Sequence, residues 1–303
     1  MSQNERSGNL YLVSDVHSYY DSLIRALTEA GFFEDETGKL VLLGDALDRG
    51  TQHLELVKFL LKLKEDGKLV YIMGNHEEIL SDMLQSISNR TFQSKFSSYA
   101  INGTFESAVG LANMYFDHEA GELRCYAANN WCHMDYDQAQ EYADEFASRV
   151  RESIYYHELH RCAIDYYETE HYVFCHGWIP VGIVDGENER FYTYNPDWRD
   201  ADYTSWRRAR WLNGMEVAVK YGAVIPDKTV VCGHFNTAWG HNFLHGNYGR
   251  NNDPFVDYGI IAIDAGTYNN DTEETKRINC VVIRPDGKAV FNGEVIHDGA
   301  DIC

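Results

Sequence analysis

The chain has 303 residues, 44% of them hydrophobic and 14% aromatic, which is ample for a large core in one domain or in one domain carrying an insertion. Its formal net charge of -21 repels nucleic-acid backbones and anionic lipid surfaces, so neither duplex nucleic acid nor a membrane is expected as a partner, and any phosphate ligand needs a local positive site. Seven cysteines without a C-x-x-C pair argue for reduced thiols, and a polar start followed by only a brief apolar run argues against a signal segment; the expected location is cytoplasmic.

The first element expected is a strand over residues 9–15, ending in Asp15-Val16-His17. Leu23, Ile24 and Leu27 then share a helix face up to a stop at Gly31. Residues 39–43 read as a buried strand of a mostly parallel sheet, halting abruptly at Gly44-Asp45-Ala46-Leu47-Asp48-Arg49-Gly50. A second helix carries Leu54, Leu56, Val57, Leu60, Leu61 and Leu63, and a third strand over 68–73 ends in Gly74-Asn75-His76-Glu77. The pattern is β-α-β-α-β, and parallel strands bring such ends together.

Strand signals fade from Glu78 to about Glu170. Residues 92–114 and 137–167 are helix-like, aromatic-rich and acidic, so residues 86–168 are expected to form a helical cap inserted into a single domain spanning 1–303. Cys125, Cys132 and His133 match no common zinc spacing and show no evident fourth ligand. Residues 171–177 return to strand character and end at His176; 180–195 read as loop. Arg207, Arg208 and Arg210 crowd the stretch 206–211, a helix follows over 215–220, and the strand 229–232 leads into Gly233-His234. Residues 241–252 are expected as a long loop, with His241 and His245 as candidate substrate contacts. Further strands are expected over 259–264, 278–283 and 289–295, the last two joined by the turn Pro285-Asp286-Gly287.

Collected, the strand-end residues Asp15, His17, Asp45, Asn75, His176 and His234 supply a two-metal site. A carboxylate able to bridge two cations is needed, and Asp45 is the candidate. Imidazoles and an amide complete the shell without excess negative charge, a mixed N/O set suited to manganese, iron or zinc.

Asp15-Val16-His17, Gly44-Asp45-x-x-Asp48-Arg49-Gly50, Gly74-Asn75-His76-Glu77, His176-Gly177 and Gly233-His234 together resemble the signature of calcineurin-like metallophosphoesterases. They are most similar to the serine/threonine phosphoprotein phosphatase branch, which includes bacterial protein phosphatases and symmetrical diadenosine tetraphosphatases. The resemblance implies a four-layer α/β/β/α sandwich holding two divalent ions, manganese foremost. It implies that Asp15 and His17 bind the first ion, Asn75, His176 and His234 the second, and that Asp45 bridges them. It further implies that His76, oriented by Asp48, protonates the leaving oxygen, and that Arg49 binds the substrate phosphate together with Asn75. A second arginine is implied after His176: Arg210, then Arg208. Ser14 and Ser18 stand where glycines usually flank Asp-x-His, Asn236 stands where a broader set of relatives has a second histidine, and Asp264 matches a strand end of the family in a structural role.

The activity so implied is hydrolysis of a phosphomonoester, of the phosphoserine/phosphothreonine protein type, by direct attack of a metal-bridging hydroxide. Asp48 and Glu77 favour that type. The alternatives are a diadenosine tetraphosphate or related nucleotide anhydride as substrate, or, in another class, a catalytically silent binding module.

Overall fold

Short apolar runs form β1 (Leu10–Val13), β2 (Lys39–Leu42) and β3 (Leu69–Tyr71), while α1 (Tyr20–Glu29) and α2 (His53–Glu65) return the chain between them, so the three strands lie parallel. The computed structural model describes residues 8–114, 118–130, 133–186, 190–246, 249, 251–267 and 276–299. Among the described residues, β3 is followed by α3 (Asn75–Ser88), α4 (Phe92–Asn102), α5 (Thr104–Leu111), α6 (His118–Ala127), α7 (Tyr136–Glu152) and α8 (Ile154–Glu158). The chain then forms β4 (Tyr167–Glu168), β5 (Tyr172–Phe174), a hairpin of β6 (Gly182–Asp185) and β7 (Arg190–Thr193), α9 (Tyr203–Ala209), β8 (Thr229–Cys232) and α10 (Thr237–Phe243). It closes with β9 (Phe255–Asp257), β10 (Ile260–Ala262), β11 (Val281–Ile283), β12 (Ala289–Phe291) and β13 (Glu294–His297).

Two mixed sheets result, ordered β13-β12-β11-β1-β2-β3 and β4-β5-β8-β10-β9. In the second, β5, β8 and β10 are parallel and antiparallel β4 and β9 form its edges. Period-two alternation divides the strands among three cores. Leu12, Val41 and Leu43 of one sheet meet Phe174, Val231 and Ile261 of the other in a core that both sheets share. Tyr11, Val13, Leu40 and Leu42 point the other way, onto Leu23, Leu27, Leu56 and Leu60 of the helices. On the far side, Val173, Val230 and Ile260 pack on Trp178, Trp206 and Ala218. Strands buried on both faces show no polar alternation, which explains their unbroken apolar sequences.

The helices between β3 and β4 share the first sheet's outer core, where Met83, Phe96, Phe105 and Phe146 join the residues of α1 and α2. Each such buried side chain contributes about 1.5–3 kcal/mol. Among the described residues, no helix is long and apolar enough to cross a membrane.

Three expectations are corrected. Residues 180–195 contain the β6–β7 hairpin, whose half-exposed or exposed strands lack a buried face that would have imposed a pattern; its Phe191 and Tyr192 rest on Tyr221. The expected loop at 241–252 begins inside α10. The strand expected over 289–295 is two strands, because Asn292 and Gly293 turn the chain at φ 50 and 82; Asn-Gly is the preferred pair for a tight hairpin turn. Cys132 lies outside the described residues.

Candidate metal centre

The strand ends turn sharply. Asp15, His17, Asp45, Asp48, Arg49 and His234 all have positive φ, between 48 and 76. Such backbone costs roughly 1–3 kcal/mol per residue and persists only where neighbours over-determine it. Here the first two loops bond to each other: His17 N–H donates to Asp45 O at 3.0 Å and Ser18 N–H to Ala46 O at 2.8 Å. Gly44, at φ 84, is required for a second reason, since a Cβ there would stand 2.5 Å from Gly74 Cα.

Asp45 lies at the centre of the donor set. Its Oδ1 accepts from the His76 N–H at 2.9 Å and lies 3.4 Å from His176 Nε2. Its Oδ2 lies 3.9 Å from His17 Nε2 and 3.8 Å from His76 Nε2. Two groups of donors, His17–Asp45–His76 and Asp45–His176–His234, each converge within 4.8 Å, and Asp45 belongs to both. His17 Nδ1 donates to Leu47 O at 3.1 Å and His176 Nδ1 to Leu43 O at 2.6 Å, which turns each Nε2 inward. Asn75 Oδ1 is 2.7 Å from His176 Nε2. Asp15 belongs to neither group; its Oδ2 accepts from the His234 N–H at 2.9 Å.

Electrostatics fit a cation. Burial, reinforced by His76 and Arg49, holds His17 well below the usual imidazole range, and burial with His176 does the same to His234, so both are neutral donors. Burial raises Asp45 to about 6 against the pull of His176 and His76. Burial opposes protonation of His176, yet Asp45 and Asp15 raise it above the ordinary value. With Nε2 protonated, His176 donates to Asn75 Oδ1 at 2.7 Å, and a cation taking the place of that proton would be held by the same two atoms. Imidazole nitrogens converging on a shared buried carboxylate, two of them held neutral by burial, are a divalent-ion donor set. Beneath it, Asp264 is held well above the carboxylate range by burial and then by Asp15, and accepts from Gly266 N–H at 2.7 Å.

His76 has different partners from the other imidazoles. Its Nδ1 donates to Asp48 Oδ2 at 2.7 Å, and its Nε2 faces Arg49 at 3.3 Å. Burial opposes its charge, but Asp45 and the bond to Asp48 raise it to about 9. Two residues of α5 hold Asp48: Thr104 Oγ1 donates to Oδ2 at 2.5 Å, and Ser107 Oγ accepts from the Asp48 N–H at 3.0 Å. Neither is marked in the sequence, where they stand more than fifty residues from their partner. Glu77 also has a mechanical role that its motif does not reveal. It accepts from the N–H groups of Asp45, Ala46 and Gly74 at 2.8–3.0 Å and from Tyr71 OH at 2.7 Å. Tyr71 OH meets Tyr155 OH at 3.0 Å, tying α8 to the same knot.

The model for calcineurin-like phosphoesterases matches residues 8–238. The chain belongs to that family. Among curated members, bis(5'-nucleosyl)-tetraphosphatase PrpE (asymmetrical) of Bacillus velezensis is 33% identical over 72 residues, covering 22% of this chain and 29% of the relative. The symmetrical bis(5'-nucleosyl)-tetraphosphatase of Buchnera aphidicola is 39% identical over 67 residues, covering 22% of this chain and 23% of the relative. The matched segments thus span under a third of these relatives' length. A metallophosphoesterase structure from Sphaerobacter thermophilus is 14% identical, with a TM-score of 0.41, over 94% of this chain and 86% of that one.

Other candidate residues fall outside the cluster. Arg210 is buried and pairs with Glu78 and Asp165. Arg208 is exposed on α9. His241 and His245 turn toward the strand β9 region, His241 Nε2 lying 3.1 Å from Asp253 O and His245 Nε2 2.8 Å from Asp257 Oδ2. Asn236 caps α10, accepting from Ala238 N–H.

Proposed function

We propose that this chain is a metal-dependent hydrolase of phosphoric esters or anhydrides. The observation that carries the reading is Asp45, whose two oxygens face different imidazoles within two donor groups that share it. Asp15 and His17 would hold one divalent ion, Asn75, His176 and His234 the other, and Asp45 both; manganese is the first choice, iron or zinc the alternatives. When bound, the ions supply an acidified water and charge to hold a phosphoryl oxygen.

The chain's own residues supply the rest. Asp48, fixed by Thr104 and Ser107, holds His76 by Nδ1 and favours its charged form, so His76 Nε2 is turned to give a proton to the leaving oxygen. Arg49, at 3.3 Å from that nitrogen, places positive charge where equatorial phosphoryl oxygens gain negative charge. Arg210 can contribute to phosphate binding only by sharing its charge with Glu78 and Asp165.

For the substrate, the names of the relatives support a dinucleoside tetraphosphate, which we put first. The Asp48 and Glu77 pair supports a phosphoserine or phosphothreonine protein as the second reading. Residues 86–168 are taken as a cap inserted into one domain. The buried free thiols of Cys175, Cys232 and Cys280 agree with a cytoplasmic setting. The test is release of phosphate or nucleotide from diadenosine tetraphosphate and from a phosphoserine peptide by manganese-loaded protein. Turnover of either supports hydrolysis; a metal-loaded protein inert toward both, and toward an aryl phosphate, would instead be a binding module.

A further inference from the structure

We propose that the aromatic side chains gathered at His234 form a stacking platform for a nucleobase; this rests on the phosphoesterase reading with a nucleoside polyphosphate as substrate, and assigns the surface that holds the base. The His234 ring meets Trp211 edge-on with centroids 5.8 Å apart, and meets Phe235 at 5.0 Å. From Phe235 the row continues to Trp239 at 6.4 Å and from Trp239 to Phe243 at 5.6 Å. Trp239 and Phe243 are four residues apart on α10, so they share one helix face.

The row runs outward. Phe243 is 69% exposed and Trp211 49%, while Phe235 and Trp239 are half-buried. Trp211, in contact with His234, and Phe243, at the far end of the row, are left in water and forgo the burial that large apolar side chains ordinarily gain, so packing does not explain the two outer rings. Charge points the same way. The chain carries a net charge of -21, yet α9 presents Arg207 and Arg208 at the surface, four and three residues before Trp211. Arg207 Nε lies 3.9 Å from Glu78, with half of the arginine side chain exposed.

One ligand matches cations beside aromatic faces at a phosphoryl-transfer centre: a polyphosphate chain ending in a planar base. The reacting phosphate occupies the metal centre, further phosphates meet the arginines of α9, and the base lies on an exposed ring. Stacking tolerates any base because every base has a π-face, and removing such a ring typically weakens binding by a factor of about 5 to 150. A phosphoserine side chain offers nothing for these rings to stack on.

The test compares diadenosine tetraphosphate with inorganic tripolyphosphate, which has the anhydride and no base, using manganese-loaded protein. The readout is selectivity, the ratio of the two kcat/KM values. Trp211→Ala and Phe243→Ala are each expected to lower that ratio about tenfold, chiefly through KM for the nucleotide, and Phe243→Tyr to restore it. Phe243 is the safer probe of the two, being exposed and out of contact with His234. A ratio unmoved in both alanine variants would overturn the platform, and so would a wild-type protein that cleaves tripolyphosphate or a phosphoserine peptide but not the nucleotide. If no substrate is turned over, the phosphoesterase reading itself fails. Calorimetry with diadenosine tetraphosphate then decides the platform: binding lost in Phe243→Ala upholds it, and no binding by wild type overturns it.

Discussion

Glu77→Gln is expected to destabilise the protein far more than its near-isosteric shape suggests. The Glu77 carboxylate is buried and accepts four hydrogen bonds, three from the backbone of Asp45, Ala46 and Gly74 and one from Tyr71. Burial alone would raise this acid, but the bonds from Tyr71 and the amides hold it below the ordinary glutamate range. A glutamine keeps one acceptor oxygen and turns an NH2 group toward N–H donors, so at least one buried amide loses its partner. Bonds to a charged group contribute about 1.5–3 kcal/mol each and an orphaned buried donor costs about 1–3 kcal/mol, which gives a loss on the order of 3–5 kcal/mol. Tyr71→Phe removes a single donor and sets the scale at about 1–2 kcal/mol. Urea unfolding of the metal-free protein measures both. Since the folded-state pKa of Glu77 is lowered, its contribution is present above about pH 4.5 and vanishes as pH falls through the folded value, so the gap between wild type and Glu77→Gln should close in acid. A Glu77→Gln variant no less stable than Tyr71→Phe would refute the idea that this carboxylate pins the loops.

Other outcomes follow from the same geometry. Asp48→Asn should bring His76 in the metal-free protein down from about 9 toward the ordinary imidazole range, as read by NMR titration; no movement would remove Asp48 as its orienting partner. The sign for stability is the reverse of Glu77: the raised His76 contributes below about pH 6.5, and its contribution is lost as pH rises through about 9. Thr104→Val should lower kcat with little change in KM, because it loosens Asp48 without touching substrate; a change confined to KM would contradict this. Arg210→Met should cost about 1–3 kcal/mol, since it removes the closer cation of buried Glu78 and leaves it Arg207 at 3.9 Å, whereas an unchanged Tm with a raised KM would assign Arg210 to phosphate instead.

Much of the centre was legible because its residues sit where short apolar runs end. Leu40 to Leu43 marks a strand buried on both faces, and Gly44-Asp45 marks where it stops; the same holds at Asp15, Asn75, His176 and His234. Local sequence carries that signal. It does not carry partners brought in by tertiary structure, which is why Thr104, Ser107 and the Tyr71–Tyr155 contact emerge only from the fold. The missed β6–β7 hairpin has no buried face to impose a pattern, and α10 contains Gly240 and Asn242, poor helix formers that Asn236 offsets by capping. The Asn292-Gly293 turn was readable and was overrun by the apolar residues on either side.

The central claim is that Asp45 serves both ions while His76 serves neither, although His76 lies in one of the donor groups. Elemental analysis of manganese-loaded wild type, Asp45→Asn and His76→Asn tests it directly. The expected result is loss of both ions in Asp45→Asn, and in His76→Asn a wild-type metal content with turnover reduced about 10²–10⁴-fold. Equal metal loss in the two variants would contradict the division of roles.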